Sequence, residues 1–163
     1  MEGAALASEL GGSTFSPGVY KTGSPLLLAA STTIYLDAQG DPNGVFIFLT
    51  DTSMTTGANT DMILQNGANA DNVFWVLGTS LTMGAESRLV GNHLTGNRIT
   101  VGLNSEIDGR AISQKKIKCE GACKIGDCTR GSTTSAPPAV VSSSPSESPA
   151  LLSSPNPTKV LES

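Results

Sequence analysis

A nine-residue pattern, apolar at its first and last places and mostly so at its third, recurs along the middle of the chain. Copies at 81–89, 99–107 and 117–125 follow one another at intervals of 18 residues. A further copy, at 54–62, lies 27 residues before the copy at 81–89. Polar residues separate the apolar ones, which is the period of two that is typical of short strands with one buried face.

Glycines mark the corners between these strands. Gly57, Gly84 and Gly102 follow the first strand of three copies, and a second set, Gly67, Gly91 and Gly109, indicates another corner because glycine adopts positive φ without strain. Three short strands separated by corners over 18 residues form one turn of a parallel β-solenoid, in which each turn packs its inward side chains on the next. The sequence therefore predicts an all-β fold, a triangular parallel β-helix.

The alternation also predicts which side chains stack in columns. The inward columns are Met54, Leu81, Ile99 and Ile117, and Met62, Leu89, Ile107 and Ile125. The outward positions of one face form a column of Thr55, Thr82 and Thr100, with Ser53 and Ser80 two residues earlier. On the next face the outward column is Asp61, Arg88, Glu106 and Lys124, which is typical of a solvated charged ladder.

A column of threonines on a stiff sheet has a specific physical use. Neighbouring strands lie ~4.8 Å apart and alternate residues of one strand ~6.7 Å apart, spacings comparable with the repeats of crystalline water or of a polysaccharide. Each methyl group orders water and each hydroxyl anchors it. Threonine is also simply a favourable outward residue of a strand, and the column alone leaves that alternative open.

Composition divides the chain and excludes some functions. A formal charge of -4 argues against a basic nucleic-acid binder, and no apolar run reaches the 18 residues of a membrane span. Six of the nine prolines and ten serines fall in 131–163, which we predict to be a disordered tail, either a spacer or a glycosylated stalk. We expect an N-terminal remnant at 1–8 and the solenoid at 9–130.

Candidates for catalysis are few. The only histidine, His93, has no nucleophile motif nearby, which favours a surface or wedge position. Asp37, Asp41 and Asp51 are candidate acids or metal ligands, but the first two lie in a Gly/Pro/Asn-rich turn, where carboxylates cap backbone amides. The three cysteines lack a fourth ligand for structural zinc, and both buried thiols and one disulfide remain open; they are Cys119, Cys123 and Cys128. We predict no catalytic residue, no metal and no cofactor.

Several segments resemble one known family. They are DAQGDPN at 37–43 leading into VFIF at 45–48, NVFW at 72–75, DGRA at 108–111 and PGVY at 17–20. Their order and spacing over about 9–115 are similar to the widespread ice-binding (antifreeze) proteins of DUF3494 type. The resemblance implies secretion, a right-handed discontinuous solenoid, a long α-helix along one side, and adsorption to ice through a flat hydroxylated face. Some members use a Thr-Ala/Gly-X-Thr/Asn corner, which Thr56 to Asn59 matches and Thr100 to Asn104 matches loosely.

The resemblance leads to a specific expectation. The chain begins almost where the family's helix ends, so the helix is expected to be missing or truncated, and no export signal is visible. We predict an ice-binding protein, not an enzyme, whose partner is an ice crystal surface, without nucleic acid or membrane, and which is a secreted monomer. The expected ice-binding residues are Ser53, Thr55, Thr56, Asn59, Ser80, Thr82, Thr100 and Asn104. An extracellular carbohydrate-binding or adhesive module is the alternative, and a carbohydrate-active solenoid enzyme is a third hypothesis.

Overall fold

Short parallel strands make up almost all of the ordered structure. The computed structural model describes residues 3–130, with side chains up to residue 126, so the predicted tail at 131–163 lies outside the described residues. The strands are β1 (Ala4–Ala5), β2 (Thr14–Phe15), β3 (Gly18–Thr22), β4 (Leu26–Leu28), β5 (Thr33–Asp37), β6 (Phe46–Thr50), β7 (Met54–Thr56), β8 (Asp61–Gln65), β9 (Val73–Leu77), β10 (Ser80–Thr82), β11 (Arg88–Thr95), β12 (Arg98–Val101), β13 (Ser105–Ser113), β14 (Lys116–Cys119) and β15 (Cys123–Arg130).

The strands coil into a solenoid with three faces. The first face is a five-stranded sheet in the order β14-β12-β10-β7-β4. The second and third faces belong to one ten-stranded sheet that bends at a corner, where Arg88 at the start of β11 pairs with β8 and 92–95 at its end pair with β9. The second face thus contains β5, β8 and the first halves of β11 and β13. The third face contains β3, β6, β9 and the second halves of β11 and β13. The parallel β-solenoid is confirmed.

The predicted columns are confirmed by the strand register. Leu81 pairs with Met54 and with Ile99, which pairs with Ile117, and Leu89 pairs with Ile107, which pairs with Ile125. The inward members from Met54 to Ile107 are buried, so they form the core. This stacking removes apolar surface from water at every turn, at about 25 cal/mol per Å².

A column of rings fills the inside of the third face. The Phe48 and Trp75 rings stack with centroids 4.0 Å apart, Tyr20 stacks on Phe48 at 5.2 Å, and His93 stacks on Trp75 at 6.1 Å. The Trp75 indole N–H donates to the Val90 carbonyl at 3.1 Å, so its polar atom is satisfied inside the core. The interior is therefore packed with side chains and leaves no ligand channel along the axis of the described coils.

The two kinds of corner use different backbones. Gly67, Gly91 and Gly109 have φ of 91°, 102° and 144°, which confirms the second corner. At the first corner the positive φ belongs to Asn59, Glu86 and Asn104, at 54–58°.

The solenoid begins before residue 9, and the described chain contains very little helix. Ala4 and Ala5 pair with Tyr20 and Lys21, so the solenoid includes part of segment 1–8. Over residues 3–130 the helical structure is one short 3-10 helix, Ala70–Asn72, and none is long and apolar enough to cross a membrane.

Candidate functional site

The first face presents short rows of small residues to solvent. Thr55 pairs with Thr82 and Thr82 with Thr100, so the predicted threonine column exists. Each strand adds one outward residue before its threonine and one after. The three central rows are Ser53-Thr55-Gly57, Ser80-Thr82-Gly84 and Arg98-Thr100-Gly102, and they are called the hydroxyl surface below. No row carries an aromatic ring.

The outward hydroxyls of this surface are available to an external ligand. In the described part of the chain, the hydroxyls of Thr55, Thr82 and Thr100 have no hydrogen-bond partner in the protein. Several hydroxyls on the inner side differ, because they donate to backbone carbonyls, as at Thr50, Ser105 and Ser113, although the buried Thr95 hydroxyl has no partner. Since buried polar groups must be paired and exposed ones need not be, the outward column is free to bind ordered water.

Glycines let successive coils of the hydroxyl surface approach each other closely. A Cβ at Gly57 would lie 2.6 Å from the Ala30 nitrogen, and a Cβ at Gly102 would lie 2.5 Å from the Gly84 carbonyl carbon and oxygen. A Cβ at Gly84 would meet the Gly57 carbonyl in the same way. These glycines therefore serve close approach of successive coils rather than positive φ. The backbones beside the threonines therefore stack without side chains between them, which limits movement of one row relative to the next.

One residue of the expected set lies on the inner side. Thr56 is 3% exposed, and its Oγ1 accepts a hydrogen bond from the Gly84 N–H at 3.1 Å. The expectation that Thr56 belongs to the exposed surface is wrong, because consecutive residues of a strand point to opposite faces and Thr55 takes the outward position. Asn59 and Asn104 are exposed at the corner, and Glu86 occupies the place between them.

A buried ladder of hydroxyls, which sequence reasoning missed, supports this corner. Ser87 Oγ donates to the Gly57 carbonyl at 3.1 Å, and Ser105 Oγ donates to the Gly84 carbonyl at 2.8 Å. The Thr60 N–H donates to Ser87 Oγ and the Ser87 N–H to Ser105 Oγ, at 3.1 and 3.0 Å. The signal was a polar residue directly after Asn59, Glu86 and Asn104. The ladder links three coils and makes the corner rigid.

The rows that flank the hydroxyl surface differ from it. On the side of β4, Leu27 pairs with Thr55 and is 43% exposed. On the side of β14, Lys116 pairs with Arg98 and Lys118 with Thr100. The Ser53 and Ser80 rows are therefore neutral and small, while charge begins at Arg98 and continues in the row of β14.

The charged ladder of the second face is confirmed by register. Arg88 pairs with Asp61 and with Glu106, and Glu106 pairs with Lys124. Lys124 Nζ lies 2.9 Å from Glu106, and this hydrogen bond raises the pKa of Lys124. Such exposed pairs contribute little to stability, so this face is a solvated surface.

Other candidate groups have structural roles. Asp37 accepts hydrogen bonds from the Gln39 N–H at 2.7 Å and the Asn66 amide at 2.8 Å, and Asp41 accepts from the Asn43 N–H at 2.9 Å, which confirms capping at this turn. His93 is fully buried rather than on the surface. Burial lowers the pKa of His93 to about 4, so the ring is neutral at pH 7.

The open choice for two of the cysteines is settled in favour of a disulfide. Cys119 at the end of β14 and Cys123 at the start of β15 are bonded, with Cα atoms 6.0 Å apart. The third cysteine, Cys128, comes after residue 126, where the description of side chains ends. Among the described residues no group of histidine, cysteine and carboxylate side chains could hold a metal ion.

The described coils form a solenoid with a packed interior, and its hydroxylated face is an extended exterior surface rather than the concave pocket that a small molecule needs. Residues 2–122 match the model of the Ice-binding-like family. The chain belongs to this family.

Individual relatives agree with this assignment. The ice-binding protein of Nostoc sp. is 40% identical over 107 residues, which cover 65% of this chain and 39% of that protein. Ice-binding protein 1 of Shewanella frigidimarina is 36% identical over 106 residues, 64% of this chain and 12% of that protein. The chain thus spans less than half the length of these relatives.

Solved structures share the fold. The crystal structure of an ice-binding protein from Antarctomyces psychrotrophicus superposes with a TM-score of 0.67 at 33% identity, over 80% of this chain and 61% of that one. The DUF3494 domain of the Shewanella frigidimarina ice-binding protein gives a TM-score of 0.68 at 28% identity, over 80% of this chain and 53% of the other.

Proposed function

We propose that this chain binds ice and inhibits ice growth and recrystallisation, and that it does so through the hydroxyl surface together with Asn59 and Asn104. The observation that carries the proposal is the register of Thr55, Thr82 and Thr100, whose hydroxyls have no protein partner in the described part of the chain. The relatives are ice-binding proteins, and on that ground we propose ice as the ligand.

The physical mechanism is adsorption by many weak contacts made at once. Each outward threonine adds a methyl group that orders neighbouring water and a hydroxyl that bonds to it. The contacts become cooperative only if the rows cannot move relative to one another, which is what the glycine packing and the Ser87–Ser105 ladder provide. A rigid free protein loses little conformational entropy on binding, which leaves more of the contact energy for adsorption.

The polysaccharide alternative has less support. Sugar-binding surfaces commonly use aromatic platforms, and the rows of the hydroxyl surface carry no ring. An enzymatic role would need charged groups that converge on one groove. The charged groups of the second face instead pair along a flat ladder, as Lys124 does with Glu106 at 2.9 Å. We therefore infer binding without catalysis.

We infer that the protein acts outside the cell, and that one copy suffices for activity. The Cys119–Cys123 disulfide supports an oxidising compartment, because disulfides persist in secreted proteins and are rare in the cytosol. A single chain carries all rows of the hydroxyl surface. The Ser53 and Ser80 rows carry no charged group. Binding to nucleic acid or to an anionic membrane would need cationic side chains there, so we infer that neither is the partner of these rows.

The decisive experiment is Thr82→Tyr, measured by thermal hysteresis and by ice recrystallisation. Thr82 lies in the middle row, so a ring there lifts the surface from the crystal across neighbouring coils. We expect most of the activity to be lost, with the thermal unfolding midpoint nearly unchanged because the side chain is exposed.

Two variants on the second face serve as controls. Thr33→Tyr makes the same substitution at an outward position of β5, and Arg88→Tyr places a ring on the charged ladder. Both should retain activity. Full hysteresis in Thr82→Tyr would show that another surface binds ice, and loss in Arg88→Tyr alone would place the site on the ladder.

A further inference from the structure

The outward side of the first face changes character at β12. The column that begins with Ser53 and Ser80 reaches Arg98 in β12, since Ser80 pairs with Arg98. Lys116 follows in β14, where it pairs with Arg98. Thr100 lies two residues further along β12 and still belongs to the threonine column. The row of β12 therefore combines a hydroxyl with a guanidinium, a combination that neither of the two preceding rows contains.

The charge of Arg98 has no partner in the described part of the chain. Its side chain is exposed, and the charged side chain in register with it, Lys116, has the same sign. Like charges opposite each other on neighbouring strands repel. The carboxylate that follows β14, Glu120, is paired with Lys118 at 2.6 Å. The Arg98 guanidinium is therefore solvated by water alone.

A guanidinium at this place opposes contact with a crystal. The arginine side chain is much longer than the serines of the two preceding rows, so it extends beyond the level of the Thr100 hydroxyl. It carries five N–H donors and no acceptor, and water hydrates these donors in the free protein. A crystal face that reaches Thr100 must remove part of this hydration and fix a side chain with many rotamers. Both changes cost free energy that a serine at position 98 would largely avoid.

We propose that Arg98 marks the edge of the ice-contact surface, because it holds the crystal away from Thr100 and leaves the row of β12 with little part in adsorption. This role rests on the proposed function, in which the hydroxyl surface binds ice. The backbone of β12 is not the limit, since the Met83 N–H donates to the Thr100 carbonyl at 2.9 Å. Gly102 also stacks closely on Gly84, where a Cβ would meet the carbonyl at 2.5 Å. One side chain on an otherwise suitable coil therefore sets the extent of the site.

The test is Arg98→Ser in the full chain, measured by thermal hysteresis and by ice recrystallisation at equal protein concentration. The substitution repeats the residue that the column already holds at Ser53 and Ser80. It raises the number of neutral rows from two to three, so we expect hysteresis to increase by about half or more. Arg98→Lys keeps a strongly hydrated cation at the position and should give no increase.

Arg88→Ser is the matched control, because it makes the same exchange at an exposed position of the second face. It removes the ion pair with Asp108, in which both side chains are about half exposed, so stability should change little. Its hysteresis should equal that of the unchanged chain. An equal increase in Arg88→Ser and Arg98→Ser would show that net charge, not the contact surface, limits activity, and would overturn the role of Arg98.

A double-mutant cycle tests whether Arg98 shields Thr100. Thr100→Ala should change hysteresis little in the unchanged chain and lower it in the Arg98→Ser background, because the threonine contacts ice only once the guanidinium is gone. Thr82→Ala should lower hysteresis in both backgrounds, since its row is already neutral. Circular dichroism and the thermal unfolding midpoint verify the fold of each variant.

Two results overturn the role of Arg98. One is a folded Arg98→Ser variant that is no more active than the unchanged chain. The other is an equal loss in Thr100→Ala and Thr82→Ala when each is made alone, since Thr100 would then already contact the crystal. This second comparison stands whether or not Arg98→Ser folds. Neither result removes the proposed ice-binding surface, which fails instead if Thr82→Tyr keeps full hysteresis.

Discussion

Thr55 and Thr56 are adjacent in sequence and have opposite roles. Thr55 faces solvent without a protein partner, whereas the Thr56 hydroxyl accepts a hydrogen bond from the Gly84 N–H inside the corner. The pleat of the strand decides this difference, since successive side chains point to opposite sides. Identity of the residue type therefore says little about function until the phase of the strand is known.

Glycine at 102 gives a prediction at the level of one atom. Gly102→Ala places a methyl group 2.5 Å from the Gly84 carbonyl. The clashing atoms belong to the backbone of the neighbouring coil, which cannot move aside as a flexible side chain could. We expect a loss of about 1–3 kcal/mol in the free energy of unfolding, measured by urea denaturation. Gly23→Ala is the control, because a Cβ there meets nothing within 4 Å and the change should be neutral or slightly stabilising. Equal stability of the two variants would contradict tight coil packing.

The buried His93 predicts a dependence of stability on pH. Its pKa is lowered from 6.5 to about 4 by burial in the folded state, so between these values the unfolded chain binds more protons. Stability is therefore retained above about pH 6.5 and lost as the pH falls toward 4, by up to about 3 kcal/mol. Denaturant unfolding at several pH values measures this slope.

The comparison variant for this prediction is His93→Leu, which fills the column without a titrating ring. Its stability should change less between pH 6.5 and pH 4 than that of the unchanged protein, whatever its absolute value. Parallel curves for the two proteins would show that His93 is not the group responsible. Titrating groups other than His93 are common to both proteins, so their contributions cancel in the comparison.

At the scale of elements, β14 and β15 form the last described coil, and a covalent bond joins them. The Cys119–Cys123 disulfide closes the loop of 120–122 at the first corner. The earlier coils use the serine ladder at this place, where Ser105 donates to the Gly84 carbonyl. In the final copy of the repeat Cys123 pairs with Ser105, so a disulfide replaces a hydrogen bond.

Removing this disulfide should act locally. Closing so short a loop stabilises the folded chain by about 2 kcal/mol in the chain-entropy model. We expect Cys119→Ser with Cys123→Ser to increase hydrogen exchange in β14 and β15 while leaving β9 protected, as measured by mass spectrometry. Ice activity should persist, because the bond lies one row beyond the hydroxyl surface. Uniform loss of protection across all coils would mean that the whole domain depends on the bond.

The elements that could be predicted are those with a clear repeat. The 18-residue period placed β10, β12 and β14 in register, because each copy alternates apolar and polar residues with the same phase. Segments 45–49 and 73–77 are apolar at both phases, so alternation could not say which side of β6 and β9 faces the core. This ambiguity hid both the buried ring column and the apolar outer side of the third face.

At the scale of the whole molecule, the three faces have different chemistry although they share one backbone. The first is hydroxylated, with charge confined to the rows of β12 and β14, the second is charged, and the third is apolar on its outside. The core columns are similar throughout, so the fold does not dictate what each face displays. The threonine column was predictable because parity fixes it, whereas the disulfide needed the distance between Cys119 and Cys123, which sequence spacing alone does not give.

The constant length of the later coils has an evolutionary consequence. Ile99 pairs with Leu81 and with Ile117 at offsets of one whole repeat, and the backbone closes on itself after each one. A duplication of one repeat within the gene would therefore insert a complete turn without disturbing its neighbours, and a deletion would remove one. The area offered to a crystal can change in whole steps by recombination alone, with no new residue invented.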